Sequence, residues 1–465
     1  MPVINDLHQF IALLESRQQL IRIKSQVDPL QEIAAITDRV CKTSDGGKAL
    51  IFEHPLGSSF PVATNLFGSL PRIGLALGLE HPDLLTDKLS ALLQQIVSPV
   101  LDDLDAQIAA LPDFTRYLPR LCEWPGATKV QDAPDLGLFP FLQAWPEDGS
   151  ASGHPRYISL PLVITADTSG GNPNCGMYRA QVCGSKELAI RWKPESGAGR
   201  HLEEFRQAGK PMPVAIALGG DPAITLSAMS PLPGKLDEIT FAGFLRGDSI
   251  DMAACCSIPL SVPLTSEVVI EGYVDPIEQA IEGPFGNHTG LYSPAGPAAL
   301  MRITSISHRE DAIIPATIVG PPPMEDCWMG KAWERLLLAF LQRLVPGVIE
   351  INFPLEWIFH QSAVISLEKP VPAMVRETAN LLWSMPWFSA SRILIFISPE
   401  TDSKLANVAW QFINLPEFKE DLFYDHTGRR LALDATGGRL QQQRLKADQK
   451  VLDRISRHWP SFGLD

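Results

Sequence analysis

The sequence predicts a multidomain α+β protein whose β-rich middle lies between two α/β regions. A chain of 465 residues is too long for one hydrophobic core, so two or three domains are expected. Strand-like runs separated by Gly, Pro, Asn and Ser occupy residues 130–312, with little helix between them. We therefore predict domains at residues 1–110, 111–312 and 313–438, followed by a C-terminal helix at residues 439–465.

The N-terminal region has helix, strand, helix order. A pair that can cap a helix, Asn5-Asp6, precedes four apolar residues at helical spacing. These are Leu7, Phe10, Ile11 and Leu14. QLIRIKS alternates like a strand, and Asp28-Pro29 is predicted to open a second helix. The region therefore indicates a small α/β domain.

The middle region contains many strands in succession. The strand-like runs are RYISLPLVIT, GMYRAQVCG, ELAIRW, PVAIALGG, EVVIEGYV and MRITSISHR. The GSK at residues 184–186 is a hairpin signal, and helices are predicted at RHLEEFRQAG and near residues 236–246. So many strands with so few helices favour a barrel or a sandwich over a parallel sheet.

The C-terminal region returns to alternating helices and strands. One apolar helix stripe consists of Trp333, Leu337, Phe340, Leu341 and Leu344. AVISLE, AMVRETANLLW and RILIFI then follow in β-α-β order. A last amphipathic helix would carry an apolar face made of Leu445, Leu452, Ile455 and Trp459. This face could pack within its own subunit or against a neighbouring subunit.

Composition excludes several classes of partner. With 39 Lys+Arg against 53 Asp+Glu, the net charge of −14 disfavours nucleic acid and anionic membranes. Seven cysteines without a CxxC motif predict reduced thiols. The first residues lack the basic start of a signal peptide, and no apolar run is long enough for a membrane span. We therefore predict a cytoplasmic protein.

Common catalytic motifs are absent from the sequence: a Walker loop, HExxH, GxSxG and GxGxxG. The most suggestive stretch is EGPFGN at residues 282–287, where Glu282 begins a Gly-Pro-rich turn. Arg179 is predicted on another strand of the same β-rich region. Pattern alone leaves two interpretations open, an exposed loop and an active-site turn.

Six segments in order resemble the UbiD family of decarboxylases, which use prenylated flavin mononucleotide (FMN). They are NCGMYRAQV (174–182), VAIALGGDPA (214–223), FAGFLRG (241–247), EVVIEGYVDP (267–276), EGPFGNHTGLYS (282–293) and TIVGPPPMEDCWMGKAWER (317–335). The resemblance implies a central split β-barrel like that of flavin reductases between two α/β domains. It also implies a homodimer or homohexamer in which the C-terminal helix reaches a partner subunit.

The resemblance also implies the site. Arg179 would clamp the substrate carboxylate, Glu282 would pair with it, and the modified flavin would act as electron sink. Asn174, His201 and Glu238 match positions that hold a divalent metal, usually manganese, against the flavin phosphate. Further cofactor contacts are implied at Met177, Tyr178 and Met229, and the carbonyls of Ala228 and Met229 match a potassium site.

Two residues depart from the family pattern. Asn287 stands where the family has a second acid, which is thought to protonate the carbon left by CO2, and an amide has no proton to give near neutral pH. Arg430 stands where a phosphate-contacting lysine is expected.

These features leave more than one function open. The first is non-oxidative, reversible decarboxylation of an aromatic acid, with the proton coming from water, His288 or the substrate. The second is a catalytically impaired paralog or variant that binds flavin, and the third is an assembly subunit. The segment at 317–335 is similar to the branch acting on a dihydroxynaphthoate in menaquinone synthesis, but a hydroxybenzoate or another aromatic acid also fits. A flavin prenyltransferase would supply the cofactor.

Overall fold

In a computed structural model of the chain, the structure describes residues 4–125, 128–368, 371–414, 417–437, 445 and 447–463. Helices and strands are mixed along this described chain, and its strands form five sheets. The predicted α+β class is therefore confirmed. The domain boundaries at residues 110, 312 and 438 remain a prediction.

The N-terminal region combines short helices with a small sheet. Its elements are α1 (Leu7–Ser16), β1 (Leu20–Val27), α2 (Glu32–Cys41), β2 (Ala49–Pro55), β3 (Val62–Thr64), α3 (Leu70–Ala76), α4 (Leu84–Leu93), α5 (Leu104–Ala109) and α6 (Pro112–Thr115). Helix α1 begins as predicted, because the Asp6 side chain accepts the Gln9 N–H, and its four predicted apolar residues are buried. Helix α2 begins later than Asp28, whose side chain instead accepts the Leu30 N–H in a turn.

The middle region is built around one large sheet. Its elements are β4 (Arg120–Cys122), β5 (Thr128–Val130), β6 (Tyr157–Ile158), β7 (Leu162–Ala166), β8 (Pro173–Gly176), β9 (Ala180–Val182), β10 (Glu187–Ile190), α7 (Gly197–Ala208), β11 (Met212–Leu218), α8 (Pro222–Ala228), α9 (Glu238–Arg246), β12 (Asp251–Ala254), β13 (Ser261–Pro263), β14 (Val268–Glu282), β15 (Phe285–Gly286), β16 (Tyr292–Ser293) and β17 (Gly296–Arg309).

Nine strands of this region form an antiparallel sheet in the order β6-β9-β10-β17-β14-β11-β7-β8, with β5 also on β17. The predicted hairpin at residues 184–186 joins β9 to β10. In the part of the chain that the structure describes, no pairing joins β6 to β8, so the sheet stays open between its end strands. The long strand β14 carries Glu282 as its last residue, at the edge of the buried core.

The C-terminal region has its own five-stranded sheet, in the order β19-β20-β21-β23-β22. The elements are β18 (Ile314–Ala316), α10 (Glu325–Leu344), β19 (Val348–Asn352), β20 (Ser362–Leu367), α11 (Pro372–Ser384), β21 (Ile393–Ile397), α12 (Leu405–Asn414), α13 (Phe418–Asp421), β22 (Leu422–Tyr424), β23 (Leu431–Asp434) and α14 (Gln449–His458). The predicted β-α-β unit is β20-α11-β21, with parallel strands. Strand β18 pairs with β3, so this part of the chain also completes the N-terminal sheet.

The predicted C-terminal helix is shorter than residues 439–465. Helix α14 begins after Asp448, whose side chain accepts the Val451 N–H, so Leu445 precedes the helix instead of lying on its apolar face. Leu452 and Trp459 are exposed. Residues 439–444, 446, 464 and 465 lie outside the described residues.

Two further expectations concern cysteines and membranes. All seven cysteines belong to the described chain, and each is a free thiol there. Within the described residues, the helices are too short or too polar to cross a bilayer.

Buried charges of opposite sign join the N-terminal region to α10. Arg72 on α3 is fully buried and donates from Nη1 to the Gly47 carbonyl over 2.6 Å. Glu325, the first residue of α10, accepts the Phe67 N–H over 2.7 Å. Burial lowers the pKa of Arg72 to about 10 and raises the pKa of Glu325, while the charge of each offsets part of the other's shift. Each charge therefore reduces the cost of burying the other.

Replacing Arg72 by Met should lower the free energy of unfolding by about 1–3 kcal/mol, because the Gly47 carbonyl loses its donor and Glu325 loses a nearby opposite charge. The double variant Arg72→Met, Glu325→Gln should cost less than the sum of the single variants. Equilibrium urea unfolding measures all three, with Arg17→Met at an exposed site as control. Strictly additive losses would contradict the coupling.

Candidate active site

The centre of the site is the buried carboxylate of Glu282, at the end of β14. Its side chain is 1% exposed, yet two arginines meet it. Arg179 donates from Nε to Oε1 over 2.8 Å and from Nη2 to Oε2 over 3.3 Å. Arg191, which follows β10, places Nη2 at 2.8 Å from Oε2 and also donates to the Glu282 carbonyl. The two cations compensate the cost of burying this carboxylate.

Arg179 is the outer member of this cluster. It lies in the short segment between β8 and β9, not within a strand as predicted. Its side chain is 28% exposed, and its guanidinium lies 4.3 Å from the centre of the Phe285 ring. Its Nη1 has no hydrogen-bond partner among the described residues, so one edge of the guanidinium can bind a second carboxylate.

Backbone N–H groups of the turn after Glu282 donate hydrogen bonds that hold the turn in place. Gly283 has a φ of +97°, which favours glycine, and its N–H donates to Gln181 Oε1 over 3.0 Å. The Gly286 N–H donates to Asp148 Oδ1 over 2.8 Å. Burial raises the pKa of Asp148, while the N–H groups of Gly286, Trp145 and Ala144 oppose that rise. These bonds hold the turn, and with it Glu282, against the rest of the region.

Asn287 is part of the same turn and is occupied by local bonds. Its Nδ2 donates to Ser293 Oγ over 2.7 Å, and its Oδ1 accepts the backbone N–H and the hydroxyl of Thr289. The structure therefore brings Arg179, Glu282 and Asn287 onto adjoining segments, but the Asn287 amide is directed into its turn.

A second cluster surrounds a cavity of about 190 Å³. Asn174 on β8, His201 on α7 and Glu238 at the start of α9 all line it, as do Tyr178 and Ala228. The three predicted metal ligands are thus brought together from three separate elements. The segment 174–179 connects this cavity to Arg179.

Neighbouring groups hold the predicted metal ligands in place. Thr165 Oγ1 lies 2.9 Å from His201 Nδ1, which leaves Nε2 without a hydrogen-bond partner among the described residues. Burial lowers the pKa of His201, which favours the neutral imidazole that binds metals. Glu238 accepts the Cys175 N–H over 3.0 Å, and burial raises its pKa to about 7. A bound cation would compensate this buried carboxylate.

The donor set fits a hard divalent ion and a phosphate. Asn174 Nδ2 is buried without a hydrogen-bond partner in the described chain, and a Cβ at Gly197 would lie 1.7 Å from Asn174 Oδ1. Oxygen ligands with one imidazole suit such an ion, and Arg200 and Lys235 on the same cavity can attract a phosphate. Among the described residues, no group of three His, Cys, Asp or Glu side chains could hold a metal, so the predicted site depends on the amide of Asn174.

Three predicted cofactor residues lie outside this lining. Met177 and Met229 pack against the hydrophobic core. Arg430 donates from Nε to Asp425 over 2.8 Å and from Nη1 to the Trp383 carbonyl over 3.1 Å, within the C-terminal region. Their cofactor roles, and the potassium site at Ala228 and Met229, stay predictions.

Sequence models of one protein family match most of the chain. The three UbiD models, described as the N-terminal, Rift-related and C-terminal domains of 3-octaprenyl-4-hydroxybenzoate carboxy-lyase, match residues 11–92, 123–322 and 327–451. The chain belongs to the UbiD family. It is therefore a carboxy-lyase, as the resemblance implied.

Relatives of this UbiD protein match most or nearly all of its length. An uncharacterized protein of Archaeoglobus fulgidus is 37% identical over 407 residues, covering 87% of this chain and 83% of the relative. One from Aquifex aeolicus is 33% identical and covers 99% of both chains.

Solved structures share the fold. One is an evolved dimeric form of the UbiD-class enzyme HmfF from Pelotomaculum thermopropionicum, in complex with prFMN (prenylated FMN). Its TM-score is 0.81 at 24% identity, and the match covers 97% of this chain and 98% of that one. Vanillic acid decarboxylase of Sedimentibacter hydroxybenzoicus in its closed form has a TM-score of 0.83 at 24% identity, covering 98% and 99%.

Sequence reasoning missed two residues of this UbiD site. Arg191 is the last residue but one of the strand-like run ELAIRW, where a charged residue after buried positions was the available signal. Thr165 lies within a buried strand, and nothing local distinguishes it from a core residue. Both act through partners distant in sequence, which only folding reveals.

We expect Thr165→Val to weaken Mn²⁺ binding about 10-fold or more, because the His201 ring loses the group that orients it. His201→Ala should weaken it further. Calorimetric titration with Mn²⁺, at constant pH and with a matched control variant His54→Ala at an exposed residue, measures both. Equal affinity in wild type and His201→Ala would contradict the ligand assignment.

Proposed function

We propose that this UbiD protein catalyses the non-oxidative decarboxylation of an aromatic carboxylic acid with bound prenylated FMN and a divalent metal, for which Mn²⁺ is the leading candidate. The observation that carries the proposal is the Arg179–Glu282–Arg191 cluster, in which a buried carboxylate fixes an arginine that still offers one free edge. The cavity lined by Asn174, His201 and Glu238 supports the proposal, because the segment 174–179 joins this cavity to Arg179.

Bound prenylated FMN would supply the electron sink that an aromatic carbon lacks when it loses CO2. Asn174, His201 and Glu238 would hold the metal, and Arg200 and Lys235 would add positive charge for the phosphate. In this way an acidic protein can bind an anionic cofactor.

Arg179 would bind the substrate carboxylate through its free edge and orient the bond to be broken. Glu282 keeps the guanidinium in place, and Arg191 neutralises the charge that Glu282 would otherwise place near the substrate. Since CO2 is neutral, the attraction to Arg179 ends when the bond breaks, which lets the product leave.

The substrate is proposed to be a phenolic or polycyclic aromatic acid, because a hydroxylated ring can tautomerise and so eases both bond breaking and reprotonation. The reaction would be reversible at high CO2, and quinone biosynthesis is the proposed setting.

We further propose a cytoplasmic homodimer or homohexamer that receives its cofactor from a flavin prenyltransferase. The exposed apolar residues of α14 are in keeping with a subunit contact.

An impaired paralog that binds flavin without turnover, or that acts as an assembly subunit, is the second candidate. The observation that favours it is Asn287 at the place of the second acid. Against it stands the intact arginine–glutamate cluster, which an assembly role does not need.

Arg179→Ala should reduce decarboxylation at least about 100-fold, because the carboxylate loses its only proposed clamp. Protein co-expressed with a flavin prenyltransferase is assayed for product from 4-hydroxybenzoate, 3,4-dihydroxybenzoate, vanillate and a dihydroxynaphthoate. Mass spectrometry of released small molecules and metal analysis check the loading of each sample. Arg17→Ala, at an exposed position, is the control. Unchanged turnover in a loaded Arg179→Ala variant would refute the assignment.

Asn287→Asp should leave the rate of decarboxylation no higher than in wild type, because the side chain at residue 287 is directed into its turn. The Ser293 hydroxyl can donate to the new carboxylate, so the fold should be retained. The same product assay measures the rate, and the unfolding temperature checks the fold. A clear rise in rate would instead support the impaired candidate.

A further inference from the structure

The residue after Asn287 faces the C-terminal region. His288 Nδ1 lies 4.0 Å from Asp326 Oδ2, in the first turn of α10. Its ring is perpendicular to that of His360, with centres 4.5 Å apart, and lies 6.1 Å from the Phe359 ring. Both partners of the contact are largely buried, with side chains 24% and 16% exposed. Two ionisable groups from distant parts of the chain therefore meet beside the turn that starts at Glu282.

The surroundings favour a shared proton. Burial lowers the pKa of His288 and raises that of Asp326 to about 7. Two ionisable groups in contact can share one proton, which then belongs to the pair. The other ionisable groups nearby are Glu325 and the Cys327 thiol beside Asp326, and His360 with Lys193 on the far side of His288.

These neighbours do not replace the pair as an acid. Burial, the charge of His288 and the charge of Lys193 lower the pKa of His360 to about 4, so its ring is neutral at pH 7. On the other side of the turn, Asp148 is 1% exposed, and its oxygens accept three backbone N–H groups. Asn287 itself has no acidic proton.

We propose that the His288–Asp326 pair is the acid that protonates the ring carbon after CO2 leaves, in place of the carboxyl group that residue 287 lacks. This inference rests on the proposed decarboxylase function. It deepens that function by assigning the proton to side chains from two regions of the chain.

The step balances without a further reactant. The bond between the ring carbon and the carboxylate breaks, CO2 leaves as a neutral molecule, and the electron pair remains with the organic fragment. The proton held by His288 and Asp326 then combines with those electrons to form the new C–H bond. Solvent returns a proton to the pair, so one aromatic carboxylate and one proton give one arene and one CO2. The 4.0 Å contact is longer than a hydrogen bond and would have to tighten for a proton to pass between the two side chains.

The first experiment separates protonation from loss of CO2. Exchange of ¹³C-bicarbonate into the substrate carboxyl needs bond breaking and remaking but no C–H bond, whereas net product needs the proton. We expect His288→Gln and Asp326→Asn to lower net product formation at least about 100-fold, a typical contribution of a general acid. Carboxyl exchange should stay close to the wild-type rate. His54→Gln and Asp102→Asn, at exposed sites, are the matched controls, and the unfolding temperature checks each variant.

The outcomes distinguish this inference from the proposed function. Normal product formation in both variants would overturn the inference and leave the decarboxylase standing, with water or the substrate hydroxyl as proton source. Arg179→Ala should lose exchange and product together. If loaded wild-type protein gives neither exchange nor product with any of the four acids, the proposed function itself fails.

The second experiment needs no cofactor. NMR of protein labelled with ¹³C at the histidine Cε1 position follows the His288 ring through pH 5–9, with the signal assigned by its loss in His288→Gln. Asp326→Asn should lower the pKa of His288, because the carboxylate in contact with the ring is removed. His54 in the same spectra is the internal control. A His288 titration that is the same in wild type and Asp326→Asn would overturn the pairing.

Discussion

The site depends on one constraint, the burial of the Glu282 carboxylate. A charge that is 1% exposed is costly unless it is paired, and here two arginines from separate segments meet it. Their convergence fixes the end of β14, the start of the turn at Gly283 and the short segment before β9 relative to one another. The arginine that remains partly exposed is thereby held in one orientation, which is what binding a carboxylate in a defined pose requires.

The cavity lined by Asn174 and His201 contains another carboxylate whose surroundings determine its properties. Glu238 is a second carboxylate, half-buried, but the residues around it supply an amide, an imidazole and a backbone N–H group instead of a close cation. Burial raises its pKa to about 7, and the charge of Arg200 offsets only part of that rise. Glu282 is neutralised within the chain, whereas Glu238 belongs to the proposed metal site, where the cation would come from outside the chain. Two carboxylates connected by one short segment therefore have different roles because their neighbours differ.

The C-terminal region contributes more than packing. Arg72 and Glu325 bury opposite charges where α10 begins, and the next residue, Asp326, faces His288. The position of Asp326 thus follows from how α10 is attached to the N-terminal region. In this arrangement the proposed carboxylate clamp comes from the middle region, and half of the proposed acid comes from α10. An Asn at position 287 is then compatible with a working site.

The sequence by itself determined the α+β class, the strand-rich middle, α1, α10 and the family, because hydrophobic periodicity and short motifs are local signals. It also named Arg179, Glu282 and Asn174 within contiguous motifs, and His201 and Glu238 through the resemblance to the family. It misplaced the start of α2 and the extent of α14, where Asp28 and Asp448 side chains decide the turn or cap. Only the tertiary structure decided that Arg191 neutralises Glu282, that Thr165 orients His201 and that His288 meets Asp326. Each of these pairs is distant in sequence, and an ion pair or hydrogen bond between such residues leaves no local pattern.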